Sequence, residues 1–151
     1  MNRRKAREIA LCLVFEKDYH KDTPCGVLFE RAVDESEIYE IYKSLWSDAE
    51  KTACDEELDY IKNVFFGVYA NLEVIDTYIS DASVAWQNSR ISKIAMAVLR
   101  VAVYEMIYMP EVPVSVSINE AVELSKKYDL ADAFSFVNGV LGAVAKSIRN
   151  E

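Results

Sequence analysis

Basic side chains are concentrated at the amino terminus of the chain. The first seven residues contain four of them and no acidic residue: Arg3, Arg4, Lys5 and Arg7. The rest of the chain has 13 basic against 25 acidic residues, a net charge of −12, and the whole chain carries −8. A protein with this balance is not expected to bind nucleic acid over its whole surface. The asymmetry instead points to one local basic site, with a solvated basic arm as the alternative.

A second basic cluster lies near the carboxyl terminus. Its members are Lys126, Lys127, Lys146 and Arg149. The termini of compact domains are often close together. If that holds here, the two clusters form one patch.

Residue patterns typical of catalysis or metal binding are missing from the sequence. It has no glycine-rich phosphate loop, no Gly-x-Ser-x-Gly turn and no His-Glu-x-x-His motif. The one histidine, His20, is expected in a loop. Cys12, Cys25 and Cys54 are odd in number and widely spaced, which argues against a disulfide framework or a zinc site and favours a reducing compartment. We therefore expect neither an enzyme nor a cofactor or metal site.

Composition predicts a single all-α domain over residues 1–151. Hydrophobic residues make up 52% of the chain, and there are only 4 glycines and 3 prolines, so helices with few tight turns are favoured. A chain of this length can bury a substantial core. We predict a compact bundle of about seven helices around a buried central one.

The central helix is predicted over Ile91–Met109, where nearly every side of the helix is apolar. Such a helix is normally covered by neighbours all round. Its length approaches that of a membrane span, but Lys93, Arg100 and Glu105 lie inside it, and charges are costly in a bilayer. Pro110 marks its end. Ser89 and Asn88 are the predicted candidates for its cap.

Apolar residues at intervals of three and four predict the other helices. In chain order these run over Arg3–Tyr19 with Asn2 as cap, from Pro24 to Val33, from Ser36 to Trp46, over Leu58–Ile79 with a break near Asn71, and over Ala131–Ile148. The acidic segment Ser47–Glu57 is expected to be a loop.

The segment Val112–Ile118 alternates between apolar and polar residues, which locally favours a strand. Because nothing else in the chain offers it a partner strand, we predict a helix that starts near Val114, with Pro113 at its entry. Ser117-x-x-Glu120 also fits a capping box, which would start the helix three residues later.

One stripe of the last predicted helix is apolar and expected to face the core. It comprises Phe134, Val137, Leu141, Val144 and Ile148. Gly139 and Gly142 would let a neighbouring helix approach closely, at about 1 kcal/mol each in helix propensity.

Six segments, in order along the chain, together resemble the bacterial NusB family of transcription antitermination factors. They are residues 3–8 (RRKARE), Trp86 with Arg90, residues 98–105 (VLRVAVYE), Val112-Pro113, residues 118–124 (INEAVEL) and residues 136–141 (FVNGVL). The last two segments are specific, and the match is weakest over residues 20–57.

The resemblance implies a cytoplasmic all-helical protein that pairs with a small-subunit ribosomal protein, called NusE in this role. It implies binding to the single-stranded boxA element of ribosomal RNA transcripts, within the antitermination complex of RNA polymerase. By position, the implied RNA-binding residues are Arg3, Arg4, Lys5, Arg7, Tyr128, Asp132 and Phe136. Guanidinium groups hold phosphates, and aromatic rings stack on unpaired bases. For Phe136, packing in the core is an equal alternative.

The same resemblance places Phe15 and the Ala95 region opposite the ribosomal protein. The chain departs from the family pattern at Cys12 (usually Gln), Ala95-Met96 (usually an acidic–basic pair), Ser135 (commonly Lys) and Gly142 (commonly Asp). These differences bear on partner affinity and RNA contact more than on the fold. Whether the chain is a monomer or forms a homodimer, as some family members do, is left open.

Two other functions are compatible with the sequence. One is a helical protein-interaction adaptor without RNA binding, which the acidic body and Ala95-Met96 favour. The other is the RNA-guiding domain of a ribosomal RNA cytosine methyltransferase, against which the absence of a cofactor-binding βαβ unit argues. For Arg100, a buried pair with Glu105 or Glu120 is expected rather than an RNA contact.

Overall fold

The computed structural model describes residues 2–34, 54–86 and 91–149. Over these residues it contains seven α-helices, one short 3-10 helix and no strand, which confirms the predicted all-α class. The helices are α1 (Arg3–Asp18), α2 (Cys25–Asp34), α3 (Cys54–Ala70), α4 (Leu72–Ala82), α5 (Lys93–Tyr108), α6 (Val114–Tyr128) and α7 (Ala133–Arg149), and the 3-10 helix is Val84–Trp86.

The chain divides into two compact units, Met1–Tyr69 and Ala70–Glu151. The single domain predicted over residues 1–151 stays a prediction. None of the described helices combines the length and apolar character needed to cross a bilayer.

In the first unit, α1 packs against α2, and aromatic residues bring α3 onto both. Phe66 of α3 makes edge contacts with Phe29 of α2 and with Phe65. The Tyr69 hydroxyl of α3 donates a 2.7 Å hydrogen bond to the carbonyl of Val14 in α1. This framework holds the amino-terminal turn of α1 beside the first turns of α3.

The second unit is built around α5. Every residue from Ala97 to Met106 is buried, and α4, α6 and α7 all pack against this helix. The predicted buried central helix is therefore confirmed. Its cap is Ser92, whose hydroxyl accepts a 3.0 Å hydrogen bond from the backbone N–H of Ala95. The predicted caps, Ser89 and Asn88, lie outside the described residues.

Two polar contacts, one partly buried and one fully buried, fix α5 to its neighbours. Arg100 donates from Nε and Nη2 to the two carboxylate oxygens of Asp76 in α4, at 2.9 and 3.0 Å. Glu105, only 1% exposed, accepts a 2.8 Å hydrogen bond from the Ser117 hydroxyl of α6. The sequence identified Arg100 as a buried ion-pairing residue, but Asp76 was not among its expected partners, because spacing along α5 and α6 says nothing about α4.

Several predicted boundaries match the structure. Asn2 caps α1, the long helix breaks at Asn71, and α6 begins at Val114 directly after Pro113. The alternative start at Ser117 is wrong, because that hydroxyl bonds Glu105 instead.

Other boundaries differ or lie outside the described residues. Residues 54–57, predicted as loop, form the first turn of α3. The helix predicted from Ser36 and the loop predicted over residues 47–53 fall outside the described residues.

The apolar stripe of α7 is buried in its middle and not at its start. Val137, Leu141 and Val144 are fully buried. Phe134, predicted to face the core, is 38% exposed because it lies in the first turn, where Lys126 of α6 covers part of its ring. The close approach predicted at the two glycines of this helix is found at Gly139, where a Cβ would meet the Trp86 indole of the 3-10 helix. It is not found at Gly142, where a Cβ would meet nothing within 4 Å.

Candidate nucleic-acid interface

The basic amino-terminal residues form the first turn and a half of α1. The Asn2 side chain accepts a 2.9 Å hydrogen bond from the backbone N–H of Lys5, which fixes where the helix begins. The four basic residues therefore belong to a capped helical turn. Its four basic side chains differ in exposure: Arg4 is exposed, Arg3 and Lys5 are half buried, and Arg7 is buried.

Arg3 is held by two residues of α3. Its Nε donates a 2.8 Å hydrogen bond to the Glu57 carboxylate, which completes an ion pair. Its Cζ lies 4.3 Å from the centroid of the Tyr60 ring, within the range of a cation–π contact. About 37% of the Arg3 side chain stays accessible to solvent. The guanidinium is thus oriented by the protein, while part of the Arg3 side chain still reaches the surface.

Arg7 turns towards the same tyrosine. It is 6% exposed, and its Cζ lies 5.9 Å from the Tyr60 centroid. Residues four apart lie on one side of a helix, so Arg3 and Arg7 both face α3. Arg4 is directed elsewhere and is the most accessible cation of the turn. Arg7 as an RNA contact stays a prediction. Its side chain is less exposed than a residue that contacts RNA is expected to be.

The second basic cluster is placed at two helix ends. Lys126 and Lys127 lie in the last turn of α6, and Lys146 and Arg149 in the last turn of α7, where positive charge is favourable to the helix dipole. The Lys126 ammonium is 5.1 Å from the centroid of Phe134 and 3.5 Å from the Glu123 carboxylate.

Tyr128 ends α6 and is 38% exposed. The next residue, Asp129, accepts a 2.7 Å hydrogen bond from the Ser92 hydroxyl and a 2.8 Å bond from the backbone N–H of Leu130. Because Ser92 also caps α5, the end of α6 is tied to the start of the buried helix. Tyr128 therefore presents its ring from a fixed point, with the Lys127 ammonium 5.4 Å from the ring centroid.

Phe136 lies in the first turns of α7 and is half buried. Its ring meets Trp86 edge to face, with centroids 5.5 Å apart and planes at 88°. Asp132, directly before the helix, is exposed. The second unit thus carries an exposed aromatic ring, a half-buried one and an exposed carboxylate at the adjacent ends of α6 and α7.

The residues assigned to the protein partner have different environments. Phe15 is half buried and makes an edge contact with Tyr19, whose exposure is 60%. Ala95 is 2% exposed in the first turn of α5. Its methyl group offers a partner almost no surface, because this side of α5 is covered by the protein itself. Ala95 as a partner contact stays a prediction.

The described residues do not form an evident site for a metal ion or a phosphate group. No three His, Cys, Asp or Glu side chains among the described residues are placed to hold a metal ion. A groove of about 310 Å³ lies along α4 and reaches Ser147 of α7. It carries Glu73 and Asp81, so its charge does not suit a phosphate group.

The residues that orient the basic side chains of the candidate interface could not be predicted from the sequence. Glu57 fell in a predicted loop and Tyr60 was not singled out, although both orient basic residues of α1. The sequence gives Trp86 no role beyond its part in the family resemblance. An aromatic or acidic residue that supports a cation from another helix leaves no periodic signal in the sequence.

A family model, related sequences and solved structures all show similarity to NusB. The model of the NusB family matches residues 4–146. The transcription antitermination protein NusB of Clostridium acetobutylicum is 37% identical over 147 residues, covering 97% of each chain. The structure of T. maritima NusB matches with a TM-score of 0.73 and 29% identity, over 97% of this chain and 92% of that one. A crystal structure of the antitermination factors NusB and NusE with double-stranded RNA matches with a TM-score of 0.73 and 25% identity, over 97% and 99%.

Proposed function

Because this chain belongs to the NusB family of transcription antitermination proteins, we propose that it binds the single-stranded boxA element of ribosomal RNA transcripts together with NusE. In this role it acts in the cytoplasm, as one component of the antitermination complex of RNA polymerase. Catalysis has no part in the proposal. The solved relative that contains NusB, NusE and double-stranded RNA supports NusE and RNA in general as partners.

The observation that carries the proposal is the ordered basic turn at the start of α1. Arg4, Lys5 and the accessible part of Arg3 provide cations on a chain whose remaining residues carry −12. Phosphate contacts of this kind supply affinity without reading sequence. A few cations on an acidic protein give weak binding alone, so a second protein with positive surface is required for tight binding.

Bases are assigned to the second unit. Tyr128 and Phe136 offer rings for unpaired bases, and such stacking tolerates any base. The exposed Asp132 carboxylate accepts hydrogen bonds from base N–H groups, which adds sequence preference. For NusE, the exposed Tyr19 and its neighbour Phe15 form the apolar surface that we assign to the protein partner.

The test is a titration of boxA-type RNA with the protein, in the absence and presence of saturating NusE. We expect weak binding by the protein alone and tighter binding with NusE. By linkage, RNA must strengthen the protein pair by the same factor. A scrambled RNA of equal length is the control. An RNA affinity that saturating NusE leaves unchanged would contradict the proposal.

A second function, an adaptor that binds NusE without RNA, is favoured by one feature of the first unit. Arg3 and Arg7 are engaged by Glu57 and Tyr60, which leaves fewer cations for RNA. The same titration separates the two functions. An adaptor forms the protein pair and leaves the RNA unbound at every concentration of NusE.

A further inference from the structure

Trp86 occupies a fixed position between α4 and α7. It is the last residue of the 3-10 helix Val84–Trp86, and its backbone N–H donates a 2.8 Å hydrogen bond to the carbonyl of Ser83 at the end of α4. The indole is half buried. A side chain held in this way is suited to support another residue.

The indole fits against the backbone of α7 because residue 139 is glycine. A Cβ at Gly139 would lie 2.9 Å from Cζ2 of Trp86 and 3.5 Å from its Cε2 and Nε1. Real Cβ atoms do not approach an aromatic carbon as closely as the first of these distances. Glycine is unfavourable in the interior of a helix, so the recess is maintained against local propensity. A Cβ at Gly142, nearly one turn further along α7, would meet nothing within 4 Å.

The same indole contacts Phe136, which lies three residues before Gly139 on one side of α7. In an edge-to-face pair at 88°, either ring presents its edge to the face of the other. Both arrangements leave at least one face of Phe136 uncovered by Trp86. The contact therefore fixes the plane of Phe136 without blocking it.

We propose that Trp86, lodged in the recess at Gly139, is a positioning residue for RNA binding that holds Phe136 in the orientation that receives an unpaired base. The inference rests on the proposed function, which assigns Phe136 to base stacking. A ring whose orientation is already fixed loses less conformational freedom when a base stacks on it. Trp86 need not touch the RNA to contribute to affinity.

The experiment is a double-mutant cycle on RNA affinity, measured with saturating NusE. Phe136→Ala should weaken binding roughly 5- to 150-fold, the range for loss of one stacked base. Gly139→Ala should displace the indole and weaken binding by about fivefold or more, as part of that stacking is lost. In the Phe136→Ala background, Gly139→Ala should add less than about twofold, because the two changes act on one interaction. Gly26→Ala in α2, where a Cβ would also meet nothing within 4 Å, is the matched control and should bind RNA like the unmodified chain.

A second variant guards against a fold defect. Trp86→Leu keeps an apolar side chain in the recess but removes the aromatic contact, and it should give the same cycle with Phe136→Ala. Trp86→Phe combined with Gly139→Ala should restore part of the affinity, because the smaller ring leaves room for the methyl group. Helical circular dichroism and NusE affinity without RNA should be unchanged in every variant used.

The outcomes separate the inference from the proposed function. If the unmodified chain with NusE fails to bind boxA-type RNA, the proposed function is overturned and the role of Trp86 falls with it. If the unmodified chain binds but Phe136→Ala does not weaken binding, the inference alone is overturned. Equal losses from Gly139→Ala or Trp86→Leu in both backgrounds would also overturn it, since Trp86 would then act on the fold and not through Phe136.

Discussion

At the scale of single residues, neighbouring cations of α1 should respond differently to mutation. Arg4 is exposed and Arg7 is 6% exposed against Tyr60. We expect Arg4→Ala to flatten the dependence of log affinity on log salt by about 0.7, the value for one single-strand phosphate. Its free energy of unfolding should change by less than about 0.5 kcal/mol. Salt titrations of RNA binding and urea unfolding measure the two quantities.

Arg7→Ala serves as the counterpart. It removes a cation–π contact and the packing of a buried stem, so the free energy of unfolding should fall by about 1–2 kcal/mol. The salt dependence should stay close to that of the unmodified chain. A variant of normal stability with a flattened salt dependence would instead place Arg7 on the RNA.

The thiols of Cys12 and Cys25 should differ in reactivity. Cys12 is exposed, whereas Cys25 is half buried. Burial raises the pKa of the Cys25 thiol, and Lys17 opposes this only in part. Because the thiolate is the reactive form, Cys25 should alkylate more slowly than Cys12 at pH 8 and accelerate as the pH rises further. Mass spectrometry of peptides after brief iodoacetamide treatment gives both rates, and faster labelling of Cys25 would contradict this.

At the scale of helices, the Arg100–Asp76 contact should stabilise the packing of α4 on α5. The side chain of Arg100 is only 11% exposed, so removal of its acceptor leaves a largely buried charge poorly compensated. We expect Asp76→Ala to lower the free energy of unfolding by about 1–3 kcal/mol. Asp81→Ala, at an exposed position of the same helix, is the control and should have almost no effect. Equal stability of the two variants would contradict the prediction.

The Ser117–Glu105 hydrogen bond should play a similar role between α6 and α5. Ser117→Ala removes a donor to a carboxylate that is 1% exposed. An unsatisfied buried acceptor costs about 1–3 kcal/mol, more when it is charged. Ser115→Ala, exposed in the same turn, provides the comparison. Urea unfolding measures the free energy of unfolding of both variants. A loss of stability in Ser115→Ala alone would contradict the prediction.

The sequence predicts where helices begin and end better than it predicts which residues each side chain contacts. Asn2, Asn71 and Pro113 mark real boundaries because capping and proline chemistry act locally. Phe134 and Ser117 were placed wrongly because their surroundings come from another helix. Periodicity says which residues share a side of a helix, and it does not say which neighbour covers that side.

At the scale of the whole chain, the family and the general function could be predicted, while the contacts within the candidate interface could not. The order of the matching segments and the basic amino terminus were sufficient for the first. The engagement of Arg3 by Glu57 and Tyr60, and of Phe136 by Trp86, depends on contacts between residues 50 or more apart in the sequence. Such contacts become visible only in the folded chain.

The packing order of the second unit also has a consequence for biosynthesis. α5 packs on α4 and α6, which flank it in the chain, but also on α7, which is translated last of the four. Until Val137, Leu141 and Val144 leave the ribosome, one apolar side of the central helix lacks its native cover. Nascent chains stalled before α7 should therefore be digested by protease within this unit, and those stalled after α7 has cleared the exit tunnel should resist. Translation of α7 thus determines when this unit becomes resistant to degradation and aggregation.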